Sequence, residues 1–140
     1  MEPKPFITHH LVKSEDINHH GTLYAGRIAE WFVESGFVAA ASLTSPENTV
    51  CLQIHGLQFT SPIYCGEIIR VDSKVVYTGR SRLVSYIRIQ NQDKNVVEGF
   101  ITFIHVDSEG KSVPHGIVIT PVSDEDKELY KKAEELSVKK

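Results

Sequence analysis

Three charged side chains fall inside the longest apolar stretch of this chain, at a spacing that gives them one helix face. Arg27, Glu30 and Glu34 stand at i, i+3 and i+7, and such positions lie above one another on a helix. A carboxylate among apolar residues is a candidate general base or nucleophile, because desolvation disfavours its charged form and moves its pKa toward useful values. Glu34 leads by that criterion; Glu30, and Asp16 in the preceding loop, are alternatives. A bland reading competes, in which the three form a polar stripe along an interface and Arg27 pairs Glu30. Asn18 does not titrate, but its amide can orient water or donate to a developing oxyanion. It is also suited to shaping its loop as an Asx-turn.

Ala25-Gly26 opens the same apolar stretch. The free N–H groups and dipole of a helix N-terminus stabilise developing negative charge. Gly26 would let a substrate approach the backbone closely, or would simply ease packing. His19 and His20 offer a base or a polarising donor. Together with His9 and His10 they raise the question of a metal, but no cysteine or spaced acid accompanies them, so no metal site is expected. His55 alternates with Cys51, Gln53, Leu57 and Phe59 and reads as a satisfied polar residue on one strand face. Gly79-Arg80-Ser81-Arg82 puts two guanidiniums beside a turn. Their forked donors suit phosphate groups, unless the turn is only an exposed connection. No G-x-S-x-G elbow occurs, and neither cysteine has an evident histidine partner.

Elements must exist to position these groups. Leu23 to Leu43, rich in alanine and carrying Trp31, Phe32 and Phe37, reads as a helix of about 19 residues from Ala25, apolar nearly all round and therefore buried and central. Arg27, Glu30 and Glu34 inside it argue against a membrane span. Phe6 to Val12 suggests a first strand. Val50 to Thr60, Glu67 to Tyr77, Arg82 to Gln90 and Val96 to Val106 read as four more. The short links SPIYCG, TGRS and NQDKN point to antiparallel meander pairing. DSEGK makes a turn, HGIVIT a short extended run. The last segment, from Ser123, places Asp124, Glu125 and Asp126 in a first turn and Lys139 and Lys140 at the end, the charge order a helix dipole favours. One long helix followed by an antiparallel sheet is an α+β layout.

The chain has 140 residues, is 41% apolar and 24% charged, and carries a formal charge of −3. These values fit one domain, 1–140, with 123–140 as a C-terminal helical extension. They argue against electrostatic binding of nucleic acid. No apolar run of signal or membrane length is present. Two cysteines, Cys51 and Cys65, make no disulfide framework, which fits a reduced cytoplasmic setting.

Four motifs in order carry a family likeness. Asn18-His19-His20-Gly21 with Tyr24-Ala25-Gly26 is similar to an NHHG…FGG entry into a central helix. Phe59-Thr60-Ser61-Pro62-Ile63 with Gly66-Glu67 is similar to an F-x-x-P-x-x-x-G-D/E turn. Gly79-Arg80-Ser81 is similar to a G-R-S/T-S turn, and Phe100-Ile101-Thr102-Phe103 with Asp107, Gly110 and Pro114 to a final strand and exit. The whole, over roughly 6–114, resembles the hotdog-fold acyl-CoA thioesterases of the acyl-CoA hydrolase group.

The resemblance implies a hotdog fold, hydrolysis of acyl-CoA to free acid and CoA, a site formed between protomers of a homo-oligomer, and no cofactor beyond the CoA of the substrate. It places Asn18 and the carboxylate in the catalytic site and Gly26 at the oxyanion hole. His19, Gly79, Arg80 and Ser81 would bind substrate. The family's acid usually stands seven residues past the second glycine of the entry motif. Here that place is Val33, and Glu34 follows one position on, rotated by about 100°. Two other readings stay open: an acyl-CoA-binding hotdog protein without turnover, and a hotdog enoyl-thioester hydratase or dehydratase pairing His20 with Glu34.

Overall fold

A computed structural model of the protein describes residues 1–138. In chain order the elements are β1 (Phe6–Leu11), α1 (Ala25–Leu43), β2 (Thr49–His55), β3 (Ile68–Thr78), β4 (Arg82–Asn91), β5 (Lys94–His105) and α2 (Asp124–Val138), with 3-10 turns at Ser14–Asp16 and Pro46–Asn48. The five strands make one antiparallel sheet in the order β1-β3-β4-β5-β2. The expected α+β layout is present, with α1 laid across one face of the sheet.

Strand alternation makes that face apolar. Ile69, Val71 and Val75 of β3, Leu83, Ile87 and Ile89 of β4, and Ile101 and Phe103 of β5 pack with Ile28, Phe32, Ala39 and Ala40 of α1. The helix lies close on the sheet at Gly36, where an added Cβ would stand 2.9 Å from Ile87 Cδ1. Two serines on this apolar face are satisfied by the helix itself. Ser73 Oγ donates to the Ser35 carbonyl at 2.8 Å, and Ser85 Oγ to that of Gly36 at 2.9 Å. Hydrogen bonding of this kind removes most of the cost of burying a hydroxyl.

The opposite face is covered by α2. Leu129 and Ala133 pack on Val76, Val84 and Tyr86. Ser123 caps the helix, its Oγ accepting from Asp126 N at 3.0 Å. Lys74 of β3 reaches Asp126 Oδ1 at 2.6 Å. The expected helix start at Ser123 therefore holds; the lysines expected at its end, Lys139 and Lys140, lie outside the described residues.

Three expectations are corrected. α1 is not buried all round: Gly26, Glu30, Glu34, Val38 and Ser42 form an exposed stripe, because a single sheet covers only the opposite side. β2 does not pair with β3. It ends at His55, and Gly56 takes φ +75°, after which 57–67 carries the chain from one edge of the sheet toward the other. Leu57 and Phe59, read from sequence as a strand continuing, belong to this crossing. HGIVIT, expected only as a short extended run, joins no strand and lies along the β3–β4 turn, with His115 N donating to the Arg80 carbonyl at 3.3 Å. Of the meander pairs, β3–β4 and β4–β5 form as expected. The latter turns through Gln92 and Asp93, at φ 52° and 65°, the left-handed pair of a tight hairpin.

Candidate active site

The loop between β1 and α1 folds back on itself around Asn18. Asn18 N donates to Thr22 O at 2.8 Å and Gly21 N to Asn18 O at 3.1 Å. Gly21 closes the turn at φ +83°, a conformation that favours glycine. The Asn18 side chain shapes this turn with one atom. Oδ1 accepts from His20 N at 2.9 Å, Thr22 N at 3.2 Å and Thr22 Oγ1 at 3.3 Å. Because two of those donors are backbone N–H groups, the oxygen is fixed as the inward atom. Nδ2 has no partner among the described residues. The Asx-turn thus uses one atom of the amide and leaves the other able to donate.

Beside it α1 begins without a side-chain cap at Tyr24. Arg27 N and Ile28 N find the Tyr24 carbonyl at 3.0 and 3.2 Å, whereas Ala25 N and Gly26 N have no partner among the described residues. Two free amides at the positive end of a 19-residue helix are able to donate to a developing oxyanion. Asn18, Ala25 and Ile28 share a cavity of about 320 Å³ with Phe59, Thr60, Ser61, Pro62 and Ile63. The 59–63 segment is legible as a motif; its place as the wall opposite Asn18 is not, because its first residues, with Leu57, continue the alternation of β2.

Asp16 is buried. Its Oδ2 accepts from Lys13 N at 2.9 Å, and its Oδ1 lies 3.0 Å from Arg27 Nε. That nitrogen is buried and off-axis for a hydrogen bond, so the contact is ionic. Arg27 Nη1 donates to Glu30 Oε1 at 3.0 Å, the pairing expected from their spacing. Two of the three carboxylates considered as bases are therefore already occupied by one guanidinium.

Glu34 is on the exposed stripe, eight residues and about 12 Å along the helix from Gly26. It makes no ion pair among the described residues, and it lines a cavity of about 150 Å³ with Phe6, Thr8, His10, Trp31, Ser35 and Val38. Burial pushes the His10 imidazole below its usual pKa, an effect partly opposed by Glu34. Neither His10 nor Trp31 was picked out from sequence as a neighbour of Glu34, because only the packing of β1 on α1 joins them. His19 and His20 lie together on the exposed loop, ring centroids 3.9 Å apart. His9 faces away from α1, and His55 Nε2 is 2.6 Å from Thr102 Oγ1 within the sheet. Burial pushes the Cys51 thiol up, against nucleophilic use.

Gly79, Arg80 and Ser81 are elsewhere. They close the β3–β4 hairpin, with Gly79 N donating to Arg82 O at 2.9 Å and His105 N to Ser81 O at 2.7 Å. β3 starts beside the Asn18 loop and ends at this turn; at about 3.3 Å per residue its length separates the two by about 35 Å. Within one chain the structure joins Asn18 to the α1 N-terminus and keeps Glu34 and Arg80 apart from both.

The Thioesterase superfamily model matches residues 20–98. The chain is 27% identical over 116 residues, 79% of its length and 67% of the other, to YkhA of Bacillus subtilis (strain 168), an uncharacterized acyl-CoA thioester hydrolase. It superposes on an apo-hexameric acyl-CoA thioesterase with a TM-score of 0.84 at 25% identity, covering 95% of this chain and 88% of that one. An acyl-CoA hydrolase from Staphylococcus aureus, in complex with butyryl coenzyme A, coenzyme A and coenzyme A disulfide, gives 0.81 at 24% identity, covering 94% and 82%. The 20–98 match begins two residues after Asn18 and runs through α1 and the β3–β4 turn, more than half of the chain: this chain belongs to the thioesterase superfamily.

Proposed function

We propose that this protein hydrolyses acyl-CoA thioesters to free acid and CoA, as a homo-oligomer whose sites lie between protomers. The observation that carries the reading is the unpartnered Asn18 Nδ2 beside the unpartnered amides of Ala25 and Gly26. Asn18 and Ala25 line one cavity, with Gly26 next in the chain, and free donors at such a place can hold a thioester carbonyl and stabilise the oxyanion formed on attack. Family membership and the likeness to YkhA supply the substrate class.

Glu34 is the carboxylate assigned to activate water. It is free of Arg27, unlike Asp16 and Glu30, and borders a mostly apolar cavity. With Asn18 and the α1 N-terminus of one protomer holding the carbonyl and Glu34 supplied by another, water attacks the carbonyl carbon as Glu34 takes its proton; collapse of the tetrahedral intermediate breaks the C–S bond and releases CoA thiolate, which is then protonated. Arg80 is assigned to a CoA phosphate, with His19, Gly79 and Ser81 bordering the bound substrate. Because Asn18 and the 79–81 turn stand at opposite ends of β3, a single substrate meets both only if they come from different protomers. The hexameric state of a structural relative supports that arrangement. No cofactor enters this chemistry. A cytoplasmic setting is part of the reading, supported by Cys51 and Cys65, both exposed and unpaired.

The test is thiol release across a panel of acyl-CoAs from short to long chain, without added metal. Release from at least one is expected. Binding without release would make this an acyl-CoA binder, and hydration of an enoyl thioester in place of thiol release would make it a hydratase.

A further inference from the structure

Arg27 is the third residue of α1, where a cation opposes the helix dipole. It is held there by a partner that needs it. Asp16, 3% exposed, is the most deeply buried charged side chain in the loop before the helix. A carboxylate taken out of water is stable only when paired and hydrogen-bonded. Asp16 has both: the Lys13 N–H on Oδ2 at 2.9 Å and the Arg27 guanidinium on Oδ1 at 3.0 Å. Its own carbonyl accepts from Tyr24 N at 2.8 Å. Asp16 lies two residues before Asn18, and Tyr24 immediately precedes the free amides of Ala25 and Gly26. One residue therefore fastens the loop that carries Asn18 to the start of α1 twice, once through its side chain and once through its backbone.

We infer that Asp16 and Arg27 are positioning residues for thioester hydrolysis: the ion pair between the buried Asp16 carboxylate and the half-buried Arg27 sets the distance between Asn18 Nδ2 and the Ala25 and Gly26 amides. This rests on the reading of those three donors as the oxyanion site. Neither Asp16 nor Arg27 touches substrate. Catalysis by oriented donors is sensitive to small displacements, since misplacement by about 1 Å can cost on the order of a hundredfold in rate. Asp16 is thereby removed from the candidates for general base and given a different task.

The experiment compares Asp16→Asn and Arg27→Gln with the unmodified protein, in thiol release and in the side-chain amide region of a ¹⁵N–¹H spectrum. Asp16→Asn keeps the shape and an acceptor for Lys13 N but loses the charge. Arg27→Gln removes the more exposed partner and serves if Asp16→Asn does not fold. The expected result is a fall in kcat of roughly 10- to 100-fold with KM changed less than about threefold, and a shift of the Asn18 side-chain amide signals. In an Asn18→Ala background the further loss from either substitution should shrink to about threefold or less, because the clasp acts through Asn18. Full kcat in a folded variant, or the same loss with and without Asn18, overturns the inference. An unmodified protein that releases no thiol overturns the catalytic reading itself, and the inference with it. An unmodified protein that does release thiol, beside an equally active Asp16→Asn, overturns the inference alone.

Discussion

The imidazole of His10 lies flat against the indole of Trp31, ring centroids 4.2 Å apart and planes 15° from parallel. The stack joins β1 to α1 and forms one wall of the cavity that Glu34 borders. It also fixes a direction for the pH dependence of stability. Burial holds the folded-state pKa of His10 below 6.5, with Lys13 and His9 acting the same way and Glu34 and Asp16 opposing. His55 is lowered too, by burial and by Arg82. The unfolded chain then takes up protons first, so this contribution is complete above 6.5 and is lost as pH falls through that value toward the lowered folded pKa. Denaturation midpoints should drop between about pH 7.5 and 5, and His10→Gln should flatten part of the drop. An unchanged slope in His10→Gln would show that the stack contributes nothing to it.

Glu34→Gln should lower kcat by roughly 10²–10⁴-fold, the usual range for a general base, with the fold intact. Glutamine keeps the shape and most of the hydrogen bonding and removes only the basicity. The acidic limb of the pH–rate profile should disappear with it. Glu30→Gln should change kcat by no more than about threefold, because its carboxylate is bound to Arg27 at the exposed end of that pair, a contact of the kind worth about 1 kcal/mol or less. Near-normal turnover in Glu34→Gln, or a large loss in Glu30→Gln, would reverse the assignment. Steady-state kinetics with circular dichroism on both variants decides the matter.

Arg80→Ala should raise KM roughly tenfold and leave kcat within about threefold, since a phosphate contact is made equally in ground and transition states. A charged hydrogen bond is worth about 1.5–3 kcal/mol, and the exposure of Arg80 favours the lower value. The β3–β4 hairpin should tolerate the change, because its hydrogen bonds use the backbone of Gly79, Arg80 and Ser81. An unaltered KM would make this turn purely structural.

The elements were legible where local pattern decides them. Ala25 to Leu43 forms α1 at the expected bounds, and Ser123 starts α2 because its hydroxyl and the following acids satisfy a helix N-terminus wherever it lies. The β2–β3 crossing was illegible for the opposite reason. Leu57 and Phe59 continue the alternation of β2, and only Gly56 marks where the ladder stops. The site divides in the same way. Asn18 was legible because the loop, the glycine and the amide are neighbours in sequence. The pairing of Asp16 with Arg27, 11 residues apart across a turn, has no period to reveal it. The exposure of Glu34 follows from which face of α1 the sheet leaves open, a property of packing that a nearly all-apolar helix does not announce.

The same open packing leaves β2 at the edge of the sheet, paired only with β5. Val50, Leu52 and Ile54 of this strand are 46%, 49% and 43% exposed. A long apolar edge with unpaired backbone groups invites another strand and is rarely left bare in a lone chain. Within the proposed oligomer, a second copy is the partner that covers it. Leu52 stands where the ladder register shifts between Cys51 and Gln53, so a charge there meets the partner without facing a neighbour in β5. Leu52→Lys should shift the protein to a smaller species in sedimentation velocity. Turnover should fall with it, because Asn18 and Arg80 are about 35 Å apart in one chain and reach one substrate only across protomers. The monomeric fold should survive, since the sheet–α1 core lies away from this edge. An unchanged sedimentation coefficient would place the contact between copies on another surface. A dissociated protein with full activity would show that one chain holds a complete site, and would remove Arg80 from it.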